Sequence, residues 1–366
     1  MMKIIRPTLV VDKEVCLRNI ERMAKKAREY NLRFRPHFKT HQSVKIGGWF
    51  RKSGVEAITV SSVQMAGYFA AAGWKDITIA FPVNILEIEN INRLASEIKL
   101  GVLVENTEAA LFLAKHFLFP VDVWLKIDTG NYRTGIEPHD AEQVEMVIQK
   151  LTEGKNLTFK GFLTHSGHTY NAQSTDEIFN RHFDALLKMK TLKQKYIGQF
   201  PDIEISIGDT PASTLCTNFS GVDEIRPGNF VFYDLMQQNL GVCSFDDIAV
   251  KMVCPVVAKH LSRNEIVIHG GAVHFSKDEI RNTDGKKMFG RIIITKDGEN
   301  IMLDQMNYLS KLSQEHGILK VAQNQFVNFN VGDLVEIIPV HSCLTANLMG
   351  HYRTTEGELI EMMPKF

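Results

Sequence analysis

Short apolar runs recur along this 366-residue chain up to residue 228, with helix-length stretches between them. They are AITVS (57–61), ITIAF (77–81), LGVLVE (100–105), VDVWLKID (121–128), FKGFLTH (159–165), IEISIG (203–208) and DEIRPG (223–228). An alternating segment, LRFRPHFKTH, precedes them. Leu32, Phe34, Pro36 and Phe38 take one face of a strand there, and Arg33, Arg35, His37 and Lys39 take the other. Helical patterns lie between the runs, as at Leu86–Ile98 and Asp140–Leu151. The first helix is expected over Lys13–Tyr30, where Leu17, Ile20, Met23, Ala24 and Ala27 share a face and Asp12 can cap. Alternating strands and helices imply parallel strands joined by crossover helices. Eight such units predict a (β/α)8 TIM-type barrel, although an open doubly wound sheet has the same local signature.

Beyond residue 240 the texture changes. IAVKMVCPVVAKH, NEIVIHGGAVHF, FGRIIITKDG and DLVEIIPVHSC are β-branched runs broken by Gly, Asn and Asp. They predict a C-terminal antiparallel β domain. The expected division is a barrel over 13–240 and a β domain over 241–366, joined by the N-terminal strand in 1–12.

Lys plus Arg equals Asp plus Glu at 42 each, a balance that argues against broad nucleic-acid binding and against a polybasic membrane surface. The five cysteines are widely spaced and form no CxxC pair, so neither a disulfide framework nor a zinc ribbon is indicated. The N-terminus lacks an apolar leader, and no run approaches the roughly 20 apolar residues that span a bilayer. A cytoplasmic protein is the expectation.

In a β/α barrel, chemistry collects at the C-terminal ends of the strands. His37, Lys39, Thr40 and His41 end the first run; Lys126, Asp128, Gly130 and Arg133 the fifth; His165, His168 and Tyr170 the sixth. At the seventh, Gly208 permits a tight turn, Thr210 can cap a helix and Pro211 suits its first position. A helix start there is an anion site if it is more than a helix start. Lys39, flanked by two histidines, is the candidate nucleophilic amine, with Lys126 a competitor. The ordinary fate of a single lysine is a solvated loop. In VHSC, His341 and Cys343 would face one way on a strand and could share a zinc ion. A buried Cys beside a hydrogen-bonded His is the commoner meaning of such a pair. His260, His269 and His274 show no ligand spacing and are read as structural or exposed.

The segments RPHFKTH, KIDTGNYRTG, HSGHTY, SIGDTP, RPGNFVFYD and PVHSCLTANL occur in one order along nearly the whole chain. In them the chain resembles the fold-type III pyridoxal phosphate enzymes, in the branch of the D-serine dehydratases and D-threonine aldolases. The resemblance implies that Lys39 binds pyridoxal 5'-phosphate covalently, with Arg133 beside the cofactor ring and His165 and Tyr170 along its edge or face. It implies that Gly208, Thr210, Gly228 and Asn229 hold the phosphate, and that His341 and Cys343 bind a divalent ion. It also implies a homodimer. A carboxylate at Asp209 is awkward beside a phosphate unless it points away. Cys343 favours zinc over another divalent ion, and with it a dehydratase, because thiolate is a soft ligand. Lys39 and His165 are then the catalytic candidates and a small D-β-hydroxy amino acid the substrate, D-serine first among them. A D-threonine aldolase, an amino-acid racemase, a non-catalytic cofactor carrier and a metal hydrolase are the alternatives.

Overall fold

The computed structural model describes residues 3–296 and 299–365. Strand β1 (Thr8–Val11) and helix α1 (Lys13–Glu29) open the chain. The Asp12 carboxylate caps α1, accepting from the Val15 N–H at 3.0 Å. Eight parallel strands follow, with helices between most of them. In chain order they are β2 (Arg33–Phe34), α2 (Val44–Arg51), β3 (Ala57–Val60), α3 (Val63–Ala71), β4 (Asp76–Pro82), α4 (Ile88–Glu97), β5 (Lys99–Val104) and α5 (Thr107–His116). Then come β6 (Val121–Ile127), α6 (Ala141–Thr152), β7 (Leu157–Thr164), α7 (Thr175–Tyr196), β8 (Glu204–Ile207), α8 (Thr210–Leu215) and β9 (Glu224–Ile225).

The strands neighbour one another in the order β2-β9-β8-β7-β6-β5-β4-β3. The ring closes just past β2. Phe38 N–H donates to the Thr59 carbonyl at 2.8 Å and Thr59 N–H to the Pro36 carbonyl at 2.9 Å. On the other side, Arg35 and His37 donate to Ile225 and Pro227 at 3.0 and 2.9 Å. The fold is therefore a closed barrel and not an open sheet. Pro36 has no N–H to give to β3, so pairing on that side is reduced to a single bridge, His37 with Thr59. Phe38 points to the helical layer and meets the rings of Phe50, Phe69 and Trp74 at 5.0–5.1 Å.

The opposite face of the first strand carries charge into the barrel. Glu224 accepts from the Nε of both Arg33 and Arg35, at 2.5 and 2.6 Å, and from the Ser206 hydroxyl at 2.6 Å. Ser206 in turn accepts from Arg226 Nε at 2.7 Å. Burial pushes the Glu224 carboxyl up, but the Arg35 and Arg33 charges outweigh it and hold it down at about 2. A carboxyl depressed in the folded state stabilises the fold above its ordinary value of 4.5, and that contribution is lost as the pH falls toward 2. Glu224→Gln should destabilise the protein by roughly 3–5 kcal/mol, because it strands buried arginine charge. Urea unfolding at neutral pH measures this, and the gap to wild type should narrow in acid.

After a short helix α9 (Leu235–Asn239) the chain turns to β structure. The elements are β10 (Val250–His260), β11 (Glu265–His269), α10 (Ala272–Phe275), β12 (Ile280–Arg281), β13 (Lys287–Met288), β14 (Gly290–Lys296) and β15 (Glu299–Met302). They continue as β16 (Tyr308–Leu312), β17 (His316–Lys320), α11 (Gln323–Phe326), β18 (Leu334–Pro339), α12 (Ser342–Met349), β19 (His351–Thr354) and β20 (Leu359–Glu361). The main sheet runs β11-β17-β16-β14-β18-β10-β1-β19-β20, and β11 also pairs with β10, so six strands close on themselves. Pairing is antiparallel except between β1 and β19. β1 thus inserts between β10 and β19, far from its neighbours in sequence.

The chain divides into two compact units. One comprises residues 20–39 and 46–230; the other comprises 1–19, 40–45 and 231–366. Among the described residues no helix is long and apolar enough to cross a membrane.

Candidate active site

Lys39 lies in the turn just past the last ladder residue, His37, and its side chain is exposed. The strand expected to run through it stops earlier, because the backbone leaves the barrel wall after the bridge to Thr59. Lys39 N–H donates to His37 Nδ1 at 3.4 Å. Burial, then the charges of Lys39 and Arg226, hold His37 well below 6.5. His165, one residue past β7, is treated likewise: burial first, then Lys39 and Arg133, depress it far below the usual range. Its Nδ1 is bound to the Gly208 carbonyl, which fixes the proton there. A neutral His165 therefore keeps a lone pair on Nε2.

Lys126 is 5% exposed, and its ammonium donates to the Ile127 carbonyl at 3.0 Å. Burial, with the Arg226 charge, lowers it to about 7. The loop after β6 folds back on itself. Asp128 accepts from Gly130 and Asn131 N–H at 2.8 Å each, and Ile136 returns to pair with Ile127. Gly135 makes the return possible: its φ is +113°, and a Cβ there would sit 2.6 Å from the Asp128 nitrogen. Arg133 rides exposed on this loop.

At the end of β8 the helix start differs from the sequence reading in one respect. Asp209, not Thr210, is the N-cap of α8, accepting from Ala212 N–H at 2.6 Å and from the Thr169 hydroxyl at 3.1 Å. Thr210 is the first helical residue and Pro211 the second. The Asp209 carboxylate is thereby turned onto its own helix and Thr169, which removes the objection to an anion beside this loop. Burial raises that carboxyl to about 6. The hydroxyls of Thr210 and Ser213 are buried and have no hydrogen-bond partner among the described residues. Unmatched buried hydroxyls are rare because each costs about 1–3 kcal/mol. These two hydroxyls fit a phosphate group, while the Thr210 N–H donates to Tyr170 Oη at 3.1 Å. The Tyr170 and His165 rings lie 6.3 Å apart. Gly208 packs on Arg226, where a Cβ would meet its side chain at 3.1 Å. Asn229, beyond Gly228, is buried at the start of a short turn.

The second unit holds the other candidate centre. The expected strand through VHSC is not there: His341 is the N-cap of α12 and Cys343 is the helix's second residue. The reason is Asp234, whose carboxylate accepts from the Ser342 N–H at 3.0 Å and its hydroxyl at 3.2 Å, starting the helix at that point. His341 Nδ1 donates to the Asp278 carboxylate at 2.5 Å, which leaves Nε2 as the ligand atom. Cys343 Sγ lies 3.5 Å from Thr40 Oγ1. Burial opposes both charges, yet Asp278 and Cys343 hold His341 well above 6.5 and His341 pulls the Cys343 thiol down. A thiolate and an oriented imidazole are the donors that zinc takes. Two further candidate residues escaped the sequence reading. Asp278 lies 63 residues before His341 and carries no spacing signal. Ser213, three residues after Thr210 and hence on its helix face, could have been read from DTPAS.

Known proteins show the same organisation. Residues 11–235 match the family described as alanine racemase, N-terminal domain, and residues 249–355 match a serine dehydratase domain. The chain is 28% identical to the D-threo-3-hydroxyaspartate dehydratase of Delftia sp. (strain HT23), covering 96% of this chain and 94% of that one. It is also 28% identical to the D-serine dehydratase of Dictyostelium discoideum, covering 96% and 93%. The solved structure of the Delftia dehydratase superposes with a TM-score of 0.90 over 100% of this chain and 99% of that one, at 25% identity. A cysteine-to-alanine mutant of a D-threo-3-hydroxyaspartate dehydratase, solved in the metal-free form, gives 0.91. The chain belongs to the alanine racemase N-terminal-domain family and, within the fold-type III pyridoxal phosphate enzymes, to the D-serine dehydratase and aldolase-like branch.

Proposed function

We propose that this chain is a pyridoxal phosphate-dependent lyase that dehydrates small D-β-hydroxy amino acids, D-serine foremost, to a keto acid and ammonia. The observation that carries the reading is the His341–Cys343 pair with Asp278 behind it, since a racemase has no need of a metal. That a D-threo-3-hydroxyaspartate dehydratase mutant was solved in a metal-free form supports a metal in this branch. Bound pyridoxal phosphate supplies an electron sink that makes the α-proton of an amino acid removable. Lys39 would hold it, with Arg133 beside its ring, His165 and Tyr170 along its edge or face, and Gly208, Thr210, Gly228 and Asn229 about its phosphate. Lys39 would then take the α-proton as general base. His341 and Cys343 would hold zinc, whose part is that of a Lewis acid for the departing hydroxide. A homodimer belongs to the same reading through the family, and light scattering checks it.

A neutral His165 with Nε2 available favours one second reading. Such a base could remove the β-hydroxyl proton and so break the Cα–Cβ bond, as in a D-threonine aldolase. The two separate in one assay. With zinc and cofactor present, D-serine should give pyruvate and D-threonine should give 2-oxobutyrate with little glycine. Glycine as the main product from D-threonine would transfer the assignment to the aldolase.

A further inference from the structure

We propose that His269, His274 and Glu315 form a second binding site, for a zinc-class divalent cation, distinct from the His341–Cys343 pair. His269 ends β11, whose register with β17 sets it opposite His316, so that Glu315 lies one residue away in the turn that leads into β17. A Gly270–Gly271 turn then brings the chain back over that strand. Gly270 N–H donates to the Glu315 carbonyl at 2.9 Å and Ala272 N–H to that of Ser313 at 2.8 Å. A Cβ on Gly271 would stand 2.3 Å from the Gln314 carbonyl oxygen, so only glycine allows this approach. The turn delivers His274, on α10, to the same carboxylate. The five-residue separation of the two histidines hid this in the sequence.

The three side chains converge at metal-ligand spacing. Glu315 Oε2 is 3.5 Å from His269 Nε2 and 3.8 Å from His274 Nε2. The two rings stand 5.6 Å apart at 85°, and all three ligand atoms lie within 4.8 Å of one another. Zinc bonds of about 2.0–2.2 Å place tetrahedral ligands roughly 3.4 Å apart, so small side-chain shifts suffice. Among the described residues no other trio of His, Cys, Asp or Glu converges in this way. The side chains of His269 and Glu315 are 41% and 50% exposed, which gives an ion its path in. Two imidazoles and one carboxylate select zinc, nickel or copper over magnesium and calcium, and leave a position for water. One feature opposes the ion. Gly271 N–H donates to His274 Nδ1 at 3.1 Å, so the ring's proton sits on Nε2. Binding must move that proton to Nδ1 and give up this bond, which weakens affinity by roughly tenfold. The three ligands come from β11, α10 and the turn before β17, and a bound ion would staple them. α10 leads directly to Asp278, the partner of His341.

Calorimetric titration of the full-length holoenzyme with zinc ion tests this, with the His341–Cys343 pair removed by H341A/C343A. That variant should still bind one equivalent of zinc, and adding either His274→Gln or Glu315→Gln should abolish it. Glu315 is exposed, so its variant keeps the test decisive if His274→Gln folds poorly. Cobalt titration gives a second readout. The thiolate centre should show a near-ultraviolet charge-transfer band, and the H341A/C343A protein only the weaker visible bands of nitrogen and oxygen ligation. Absence of zinc binding in H341A/C343A, or binding indifferent to both further substitutions, would overturn the proposal.

Discussion

Lys39→Ala should lower D-serine turnover by roughly 10³-fold or more and remove the visible absorbance of the bound cofactor. Both effects are expected because the proposed function gives this one amine two tasks, holding the cofactor and taking a proton. Lys126 is the competing lysine. Lys126 is enclosed and already donates to the Ile127 carbonyl. Lys126→Met should accordingly keep the absorbance. The loss in Lys39→Ala should come without loss of fold, because an exposed side chain in a turn contributes within about 0.5 kcal/mol. A thermal midpoint equal to that of cofactor-free wild type, measured alongside the assay, separates chemistry from stability.

Cys343→Ala should abolish zinc at the His341 centre and reduce dehydration by about two orders of magnitude or more. His341 alone is a single ligand, and the thiolate that it stabilises is the softer donor. The charged pair is mutual: removing the thiol also removes part of what holds His341 above its ordinary value. Asp278→Asn should have a smaller effect, about 10–100-fold in zinc affinity, because it loosens the ring without removing a ligand. Elemental analysis after dialysis, followed by the keto-acid assay with zinc restored, reads both. Restored zinc should rescue Asp278→Asn and leave Cys343→Ala inactive.

The sequence carried the barrel because its signal is local. Runs such as ITIAF and VDVWLKID sit within a residue of β4 and β6, since apolar periodicity reports burial directly. Closure was not local. It depends on Thr59 bonding to Pro36 and Phe38, a pairing between segments that no periodicity connects. The candidate residues at the strand ends were legible for a similar reason: a strand's C-terminal residue is found once the strand is found. The errors lay where a side chain overrode a pattern. Asp209 took the cap from Thr210, and Asp234 turned an expected strand at VHSC into the start of α12. Asp278 and the His269–His274–Glu315 cluster were invisible because tertiary folding, not spacing, brings their partners to them.

The measurement nearest to the central claim is borohydride reduction of the holoenzyme, followed by proteolysis and peptide mass spectrometry. A pyridoxyl group on the peptide containing Lys39 is the expected result. Its appearance on Lys126, or on no lysine, would contradict the assignment of this amine as the one that binds and works.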